Sequence, residues 1–164
     1  MIPHISDMRY EMEMDRMKTK WKRRLAFVVA ICLGLIVAKL AWAEISLPAI
    51  AQIESSNNPK AVSFAGAKSG RGLYQISEIA LKEWNNFHPK NKYSVDDLFK
   101  PEVSGQLASW LLRQRYPQIL RHFGLPVTDE NLLICFNAGC GRVGKTLPKE
   151  TVKYITKYRK AAQV

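Results

Sequence analysis

The stretch LPAIAQIESSNNP, residues 47–59, predicts the first helix of a folded domain and places an acid at its end. Its apolar residues recur at the spacing of one helix face, Ser46 can cap the first turn, and Pro48 fits inside that turn. Pro59 stops the pattern, because the residue before a proline avoids the helical region. Glu54 is therefore expected in apolar surroundings that would raise its pKa, as a general acid requires. The alternative from this segment alone is a solvated surface glutamate.

Three further segments follow in order along the chain: GRGLYQIS at 70–77, FNAGCGRV at 136–143 and ETVKYI at 150–155. Together with Glu54 they resemble the four motifs of the family 1 soluble lytic transglycosylases, relatives of goose-type lysozyme. The family patterns are Glu-Ser followed by Asn-Pro, Gly-Leu-Met-Gln-Ile, Ala-Tyr-Asn-Ala-Gly and Glu-Thr-x-x-Tyr-Val. This resemblance implies a mainly α, lysozyme-like α+β fold with little β-structure.

The resemblance also implies which residues form the site. Glu54 matches the catalytic acid of the family, and Tyr154 the tyrosine that orients it. The substrate-binding residues implied in this way are Ser63, Tyr74, Gln75, Phe136, Asn137 and Tyr154. Tyr74 replaces the family's methionine and could stack on a sugar face, whereas Phe136 replaces a tyrosine, so that a hydroxyl is missing beside the cleft. Without the other motifs, we would interpret Gln75 as an amide that holds the loop together and Tyr154 as a partly buried core aromatic.

Only one carboxyl group has a convincing catalytic context. Most glycosidases use two, but Glu78 and Glu83 are predicted to lie on the solvated face of a helix, and Asp96 and Asp97 to cap a surface turn. The family mechanism needs one acid, because the substrate supplies its own nucleophile. Glu54 would protonate the glycosidic oxygen and then accept the proton of the sugar's O6 hydroxyl, which attacks the anomeric carbon.

The leading interpretation is an exported peptidoglycan lytic transglycosylase that cleaves the MurNAc-β-1,4-GlcNAc bond and leaves 1,6-anhydroMurNAc ends. One alternative is a goose-type muramidase, a hydrolase that would need a positioned water and a second carboxylate. The other is a catalytically weak glycan-binding scaffold of an envelope-spanning machine. The expected partners are peptidoglycan glycan strands, with secretion, conjugation or phage machinery as possible settings. We expect a monomer that uses no cofactor and no metal.

Residues 1–43 have the pattern of a targeting segment. A basic cluster precedes the apolar run 25–38, and Ala41–Ala43 offers small residues of the A-x-A type. The run is short for a membrane span of about 20 residues, which favours a cleaved signal over an anchor, and Met17 would be a more natural start. Residues 44–164 then form the predicted domain, in the periplasm or cell envelope, anchored to the membrane if the signal stays on.

The net charge indicates the kind of partner, and the cysteines leave two possibilities for the turn that they flank. The chain carries a net charge of +11, and residues 44–164 contain 17 basic and 10 acidic side chains. This balance suits an anionic partner, or only maintains solubility. No nucleic-acid motif accompanies the spread-out lysines, so nucleic acid is not the expected partner. Cys135 and Cys140 flank the Asn-Ala-Gly turn, and an exported chain allows either a disulfide or a buried thiol there.

Helical spacing, caps and prolines predict the remaining elements. Helices are expected over 77–85, from Pro101 with an interruption at Pro117, from Thr128 to a stop at Gly139, and over 149–160. The apolar face of the first of these includes Ile79, and that of the last places Val152, Ile155 and Tyr158 inward. Any β-structure should be confined to the glycine-rich loop.

Overall fold

The computed structural model describes Trp21 and residues 45–63 and 69–163 of the chain. These last two ranges belong to the compact unit Glu44–Val164. Its α-helices are α1 (Leu47–Ser55), α2 (Glu78–Phe87), α3 (Pro101–Trp110), α4 (Tyr116–His122), α5 (Asp129–Ala138) and α6 (Lys149–Ala161). Short 3-10 turns occupy Asp96–Phe99 and Cys140–Arg142, a π-helical turn occupies Leu111–Arg115, and the strands β1 (Gly70–Arg71) and β2 (Ile76–Ser77) form an antiparallel pair. The predicted mainly α, lysozyme-like fold with little β-structure is confirmed.

The helix ends follow the capping residues read from the sequence. The Ser46 hydroxyl accepts a hydrogen bond from the backbone N–H of Ala49 at 3.4 Å, and the Thr128 hydroxyl accepts one from the N–H of Asn131 at 3.2 Å. Each cap satisfies an N–H group that has no partner within its own helix. Gly139 ends α5 with a φ of +85°, a conformation that side chains disfavour.

The core is built around α3, whose inner face is fully buried at Ser104, Leu107 and Ala108. Helix α1 packs against α6 on one side of this core. The two helices are also joined by a hydrogen bond from the backbone N–H of Ser46 to the Tyr158 hydroxyl, at 2.8 Å. This connection joins the start of α1 to the C-terminal half of α6.

The glycine-rich loop holds the two short strands, as the sequence predicts. An isolated bridge pairs Val62 with Arg71 and adds to the β1–β2 pair. Gly72 turns between them with a φ of +74°, and a Cβ at that position would collide with the carbonyl oxygen of Leu98. A glycine is therefore required where the loop crosses the core.

Two packing predictions are wrong. Val152 is 50 % exposed, whereas its neighbour Thr151 is 2 % exposed and lies in the core with Tyr154 and Tyr158. Ile79 is 62 % exposed instead of contributing to the core. In α6 the polar Thr151 and the aromatic Tyr154 and Tyr158 occupy core positions. In α2 only Leu81 and Trp84 of the predicted apolar face are buried.

The helix break predicted at Pro117 takes another form. The chain remains helical from α3 into α4, and the π-helical turn Leu111–Arg115 lies directly before Tyr116–His122. Pro117 stands in the first turn of α4, directly after the π-helical turn, whose wider hydrogen-bond spacing accommodates a residue without a backbone N–H. The irregularity thus precedes the proline as a widened turn, a feature that is frequent at functional sites.

The predicted signal or anchor segment, residues 1–43, lies outside the described residues except for Trp21. Within the described ranges, no helix has the length and apolar character needed to cross a membrane.

Candidate active site

A cleft of about 560 Å³ lies at the C-terminal end of α1. This volume falls in the range of sites that hold small ligands, about 300–1,000 Å³. The predicted site residues that line the cleft are Glu54, Ser63, Gln75, Phe136 and Asn137. The structure therefore brings together side chains from α1, the glycine-rich loop and the end of α5, which are far apart in the sequence.

Glu54 lies in the last turn of α1 and is partly buried in the wall of the cleft. Burial disfavours the charged carboxylate and raises the pKa of Glu54 from its ordinary value of 4.5 to about 7, while the Tyr154 hydroxyl partly opposes this by favouring the charged form. At neutral pH the carboxyl group therefore exists in both protonation states. It can donate a proton in one step and accept one in the next.

The Tyr154 hydroxyl, on α6, is buried beside Glu54. Among the described residues no acceptor lies in hydrogen-bonding geometry to this hydroxyl, yet the Glu54 carboxyl is close enough to raise the pKa of Tyr154, after the larger effect of burial. A buried hydroxyl without an acceptor is costly. A small rotation toward Glu54 would satisfy it and hold the carboxyl in place.

A hydrogen bond from Ser55 ties the end of α1 to the glycine-rich loop. The Ser55 hydroxyl donates to the carbonyl oxygen of Leu73 at 2.8 Å and is also 3.2 Å from that of Ala51. The chain then leaves the helix through Ser56 and Asn57, which have φ values of +53° and +62°. The serine after the acid thus fixes the distance between Glu54 and the opposite loop.

Gln75 is held by the loop and lines the cleft. Its Nε2 donates to the carbonyl oxygens of Ala61 at 3.1 Å and Gly72 at 2.9 Å. Because both partners are acceptors, the amide orientation is fixed and Oε1 is the atom that can accept from a ligand. Gln75 also has a φ of +49°, an uncommon conformation that is often concentrated at functional sites. It is both the loop-structuring amide and a candidate contact for an acetamido N–H.

Ser63 is held in the cleft wall by two hydrogen bonds to Gly70. Its hydroxyl accepts from the backbone N–H of Gly70 at 2.7 Å, and its backbone N–H donates to the Gly70 carbonyl at 3.0 Å. Phe136 and Asn137 line the cleft from the last turn of α5, with Phe136 half-buried and Asn137 exposed. Asn137 is therefore the more accessible polar side chain at this end.

Tyr74 does not line the cleft. Its side chain is 8 % exposed and packs within van der Waals reach of Gly105, while its backbone N–H donates to the Ser104 hydroxyl at 3.3 Å. The expectation that it stacks on a sugar does not fit this position. The consecutive side chains of Tyr74 and Gln75 point in different directions, so that Tyr74 packs against α3 and Gln75 lines the cleft.

Cys135 and Cys140 form a disulfide that connects the end of α5 to the following 3-10 turn. Cys135 is buried, and the bridge encloses Asn137 and Gly139, both of which line the cleft. The open question of disulfide or thiol is resolved in favour of the bridge, which restricts the turn that carries Asn137.

The sequence interpretation missed a polar pair in the cleft wall. Glu83, predicted to be solvated with Glu78, lines the cleft instead. Its Oε1 accepts from Nε of Arg115 at 2.6 Å, and the two side chains are only 30 % and 24 % exposed. The guanidinium also stacks over the ring of Phe87, with 4.7 Å to the ring centroid. No motif in the sequence indicates this pair, because the contact joins α2 to the turn before α4, 32 residues away along the chain.

Tyr116 is a second missed residue. It lines the cleft from the first turn of α4 and packs edge-on against Phe136, with 6.5 Å between ring centroids. Burial raises the pKa of Tyr116, and the carboxylates of Glu83 and Glu54 raise it further. Its hydroxyl is therefore within electrostatic reach of both acids.

Fold and site together define a lysozyme-like domain with a desolvated acid in a polar cleft. A family model, the transglycosylase SLT domain, matches residues 38–158. The chain therefore belongs to the transglycosylase SLT domain family, and the resemblance carried by the four motifs is confirmed. A search of curated proteins found no significant match, and neither did a search of solved structures.

Proposed function

We propose that this protein is an exported peptidoglycan lytic transglycosylase that cleaves the MurNAc-β-1,4-GlcNAc bond and leaves 1,6-anhydroMurNAc ends. The observation that carries the proposal is Glu54, a carboxyl group in a glycan-sized cleft whose pKa is raised to about 7 by burial. Membership of the SLT domain family supports the substrate and the reaction class.

One carboxyl group accounts for both proton transfers. Protonated Glu54 donates to the glycosidic oxygen as the bond from that oxygen to the MurNAc anomeric carbon breaks, and the GlcNAc hydroxyl leaves. The acetamido carbonyl oxygen of MurNAc stabilises the anomeric carbon from within the substrate. The Glu54 carboxylate then removes the proton of the O6 hydroxyl, and O6 bonds to the anomeric carbon. The acid returns to its starting state and no water is consumed.

The surrounding residues have positioning roles in this scheme. Tyr154 would orient the Glu54 carboxyl, and Oε1 of Gln75 would accept a hydrogen bond from an acetamido N–H. Asn137, whose amide both donates and accepts, would bind the glycan at the other end of the cleft. Positioning of this kind lowers the barrier because the reacting atoms are already aligned.

A hydrolytic muramidase is the second candidate, and one observation favours it. Glu83 supplies the cleft with the second carboxylate that a water-activating mechanism needs. Its ion pair with Arg115 already engages one carboxylate oxygen, which leaves only part of the carboxylate to hold a water molecule. We therefore rank hydrolysis below transglycosylation.

We also propose that the protein acts in the periplasm or cell envelope, directed there by residues 1–43. The disulfide between Cys135 and Cys140 supports this compartment, because structural disulfides persist in oxidising environments. An alkaline phosphatase fusion to the N-terminal segment tests export. Activity of the fusion in intact cells is the expected result, and its absence would contradict this part of the proposal.

The reaction is tested by digesting purified peptidoglycan with the purified protein and weighing the muropeptides by mass spectrometry. Products that are one water lighter than reducing muropeptides are expected, because O6 replaces water as nucleophile. Reducing ends would instead establish the muramidase. Binding without products would favour a glycan-binding scaffold.

A further inference from the structure

We propose that Glu83, held in place by Arg115, is a saccharide-binding carboxylate that accepts a hydrogen bond from a hydroxyl or acetamido N–H group of the glycan. The identity of the glycan rests on the proposed function, but the binding role of Glu83 does not require cleavage. Arg115 acts as a positioning residue, because it contacts Glu83 and orients it.

The Glu83–Arg115 pair is a fixed feature of the cleft wall. The contact of 2.6 Å between Nε and Oε1 is short even for a charge-assisted hydrogen bond. Both side chains are mostly removed from water, and the guanidinium is sandwiched against Phe87. Trp110, which is buried, also packs against Phe87, with 5.7 Å between ring centroids. The carboxylate is therefore anchored to the core through a chain of contacts.

An anchored carboxylate in a cleft is suited to bind sugars. It accepts hydrogen bonds at up to about four lone-pair positions, and the contact with Arg115 uses Oε1 only in part. N-acetylated sugars present hydroxyl and amide donors around each ring. Hydrogen bonds to a charged acceptor contribute about 1.5–3 kcal/mol, and little ordering entropy is lost because Arg115 already holds the side chain.

Glu78, on the same helix, provides the contrast. It also pairs with an arginine, Arg71, at 2.6 Å. Its side chain is 51 % exposed, however, and it does not line the cleft. The two glutamates share residue type, helix and ion-pair length, so they differ mainly in whether a ligand in the cleft can reach them.

Glu83 and Glu54 line the same cleft, which supports a role of Glu83 in binding the same ligand. Tyr116 lines this cleft too and is within electrostatic reach of both carboxyl groups. Ala80, one helical turn before Glu83, lines the cleft as well. A glycan that reaches Glu54 therefore passes along the face of α2 that carries Glu83.

The experiment measures glycan binding in the cleavage-inactive background Glu54→Gln. The probe is a GlcNAc–MurNAc tetrasaccharide, and its Kd is determined by calorimetry for the full-length protein. Adding Glu83→Gln, which keeps the size and the hydrogen bond to Arg115, should raise Kd about tenfold. Adding Glu78→Gln should change Kd by less than about twofold.

Equal Kd values for the Glu83→Gln and Glu78→Gln proteins would overturn the proposal, and so would failure of the parent protein to bind the tetrasaccharide. If Glu83→Gln lowers the folded fraction, Glu83→Asp replaces it. That variant keeps the charge but withdraws it by one methylene, and weaker binding is again expected.

Two further measurements test whether Arg115 acts through Glu83 and whether Glu83 binds the glycan rather than activating water. Arg115→Lys should weaken binding in the parent but add little to Glu83→Gln, because Arg115 acts through Glu83; additive effects would contradict its positioning role. The products of the otherwise wild-type Glu83→Gln protein should remain the same as those of the wild type, at a lower rate. A selective loss of reducing ends would show instead that Glu83 activates water. Whether wild type forms anhydro ends decides the proposed function independently.

Discussion

Glu54 and Glu83 line the same cleft but have opposite surroundings. Glu54 is desolvated, and burial raises its pKa to about 7. Glu83 has a guanidinium 2.6 Å from its carboxylate. Under the two proposals the same side chain would transfer protons in one wall of the cleft and accept hydrogen bonds from the glycan in the other. Environment, rather than residue type, separates the two roles.

The variant with the largest expected effect on cleavage is Glu54→Gln. The amide keeps the shape of the side chain but cannot exchange protons, so cleavage of peptidoglycan should fall by about a thousandfold. Glu83→Gln should lower it by only about tenfold, since it weakens a binding contact. Release of soluble muropeptides measures both. Equal losses in the two variants would remove the distinction between acid and binding residue.

The second test measures the free energy of unfolding as a function of pH. In the unfolded chain Glu54 titrates near its ordinary value of 4.5, whereas in the fold its pKa is about 7. The native state therefore binds more protons between these values, and the free energy of unfolding falls as pH rises through this window. The loss is complete above about pH 7 and amounts to about 3 kcal/mol.

Glu54→Gln should abolish that loss. At about pH 8 the variant should exceed the wild type in free energy of unfolding by about 1–3 kcal/mol, and the gain should disappear near about pH 4. Urea denaturation at the two pH values measures the difference. A gain of equal size at both would show that ionisation of a buried carboxyl is not its cause.

Tyr154→Phe tests how the acid is oriented. The Tyr154 hydroxyl lowers the pKa of Glu54, so its removal should shift the alkaline limb of the cleavage rate to higher pH and reduce the rate about tenfold. Tyr158→Phe is the matched control on the same helix. Its hydroxyl bonds to the backbone N–H of Ser46, so this change should cost about 1 kcal/mol of stability and leave the pH profile unchanged. Identical pH profiles for Tyr154→Phe and wild type would contradict the orienting role.

The smallest expected effect is the contribution of the Glu83–Arg115 pair to folding. Partly exposed ion pairs are worth about 0–1 kcal/mol, so Glu83→Gln should lower the free energy of unfolding at about pH 8 by less than about 1 kcal/mol. Glu54→Gln should act in the opposite direction at that pH. A large destabilisation by Glu83→Gln would mean that the pair is kept for the fold rather than for a ligand.

Local signals predicted much of the fold. The caps at Ser46 and Thr128 and the stop at Gly139 were predicted correctly, because each acts through backbone groups within a few residues. The buried face of α6 was harder to predict. Thr151 and Tyr154 are buried although their side chains are polar, whereas the apolar Val152 is exposed.

The candidate site was predicted in part. Glu54, Gln75 and Asn137 line the cleft, and their motifs indicated them. Glu83 and Tyr116 have no motif that indicated them. Their proximity depends on how α2 and α4 pack, and on the widened turn before Tyr116.

By itself the sequence determined most of the helices, their caps, the family and the candidate acid, because caps, periodicity and motifs act over short stretches of chain. Only the tertiary structure decided which side chains share the cleft. It turned Tyr74 into the core and placed Glu83 beside Arg115 in the cleft wall. These arrangements depend on contacts between helices distant in sequence, and desolvation, which sets the pKa of Glu54, exists only once those helices have packed.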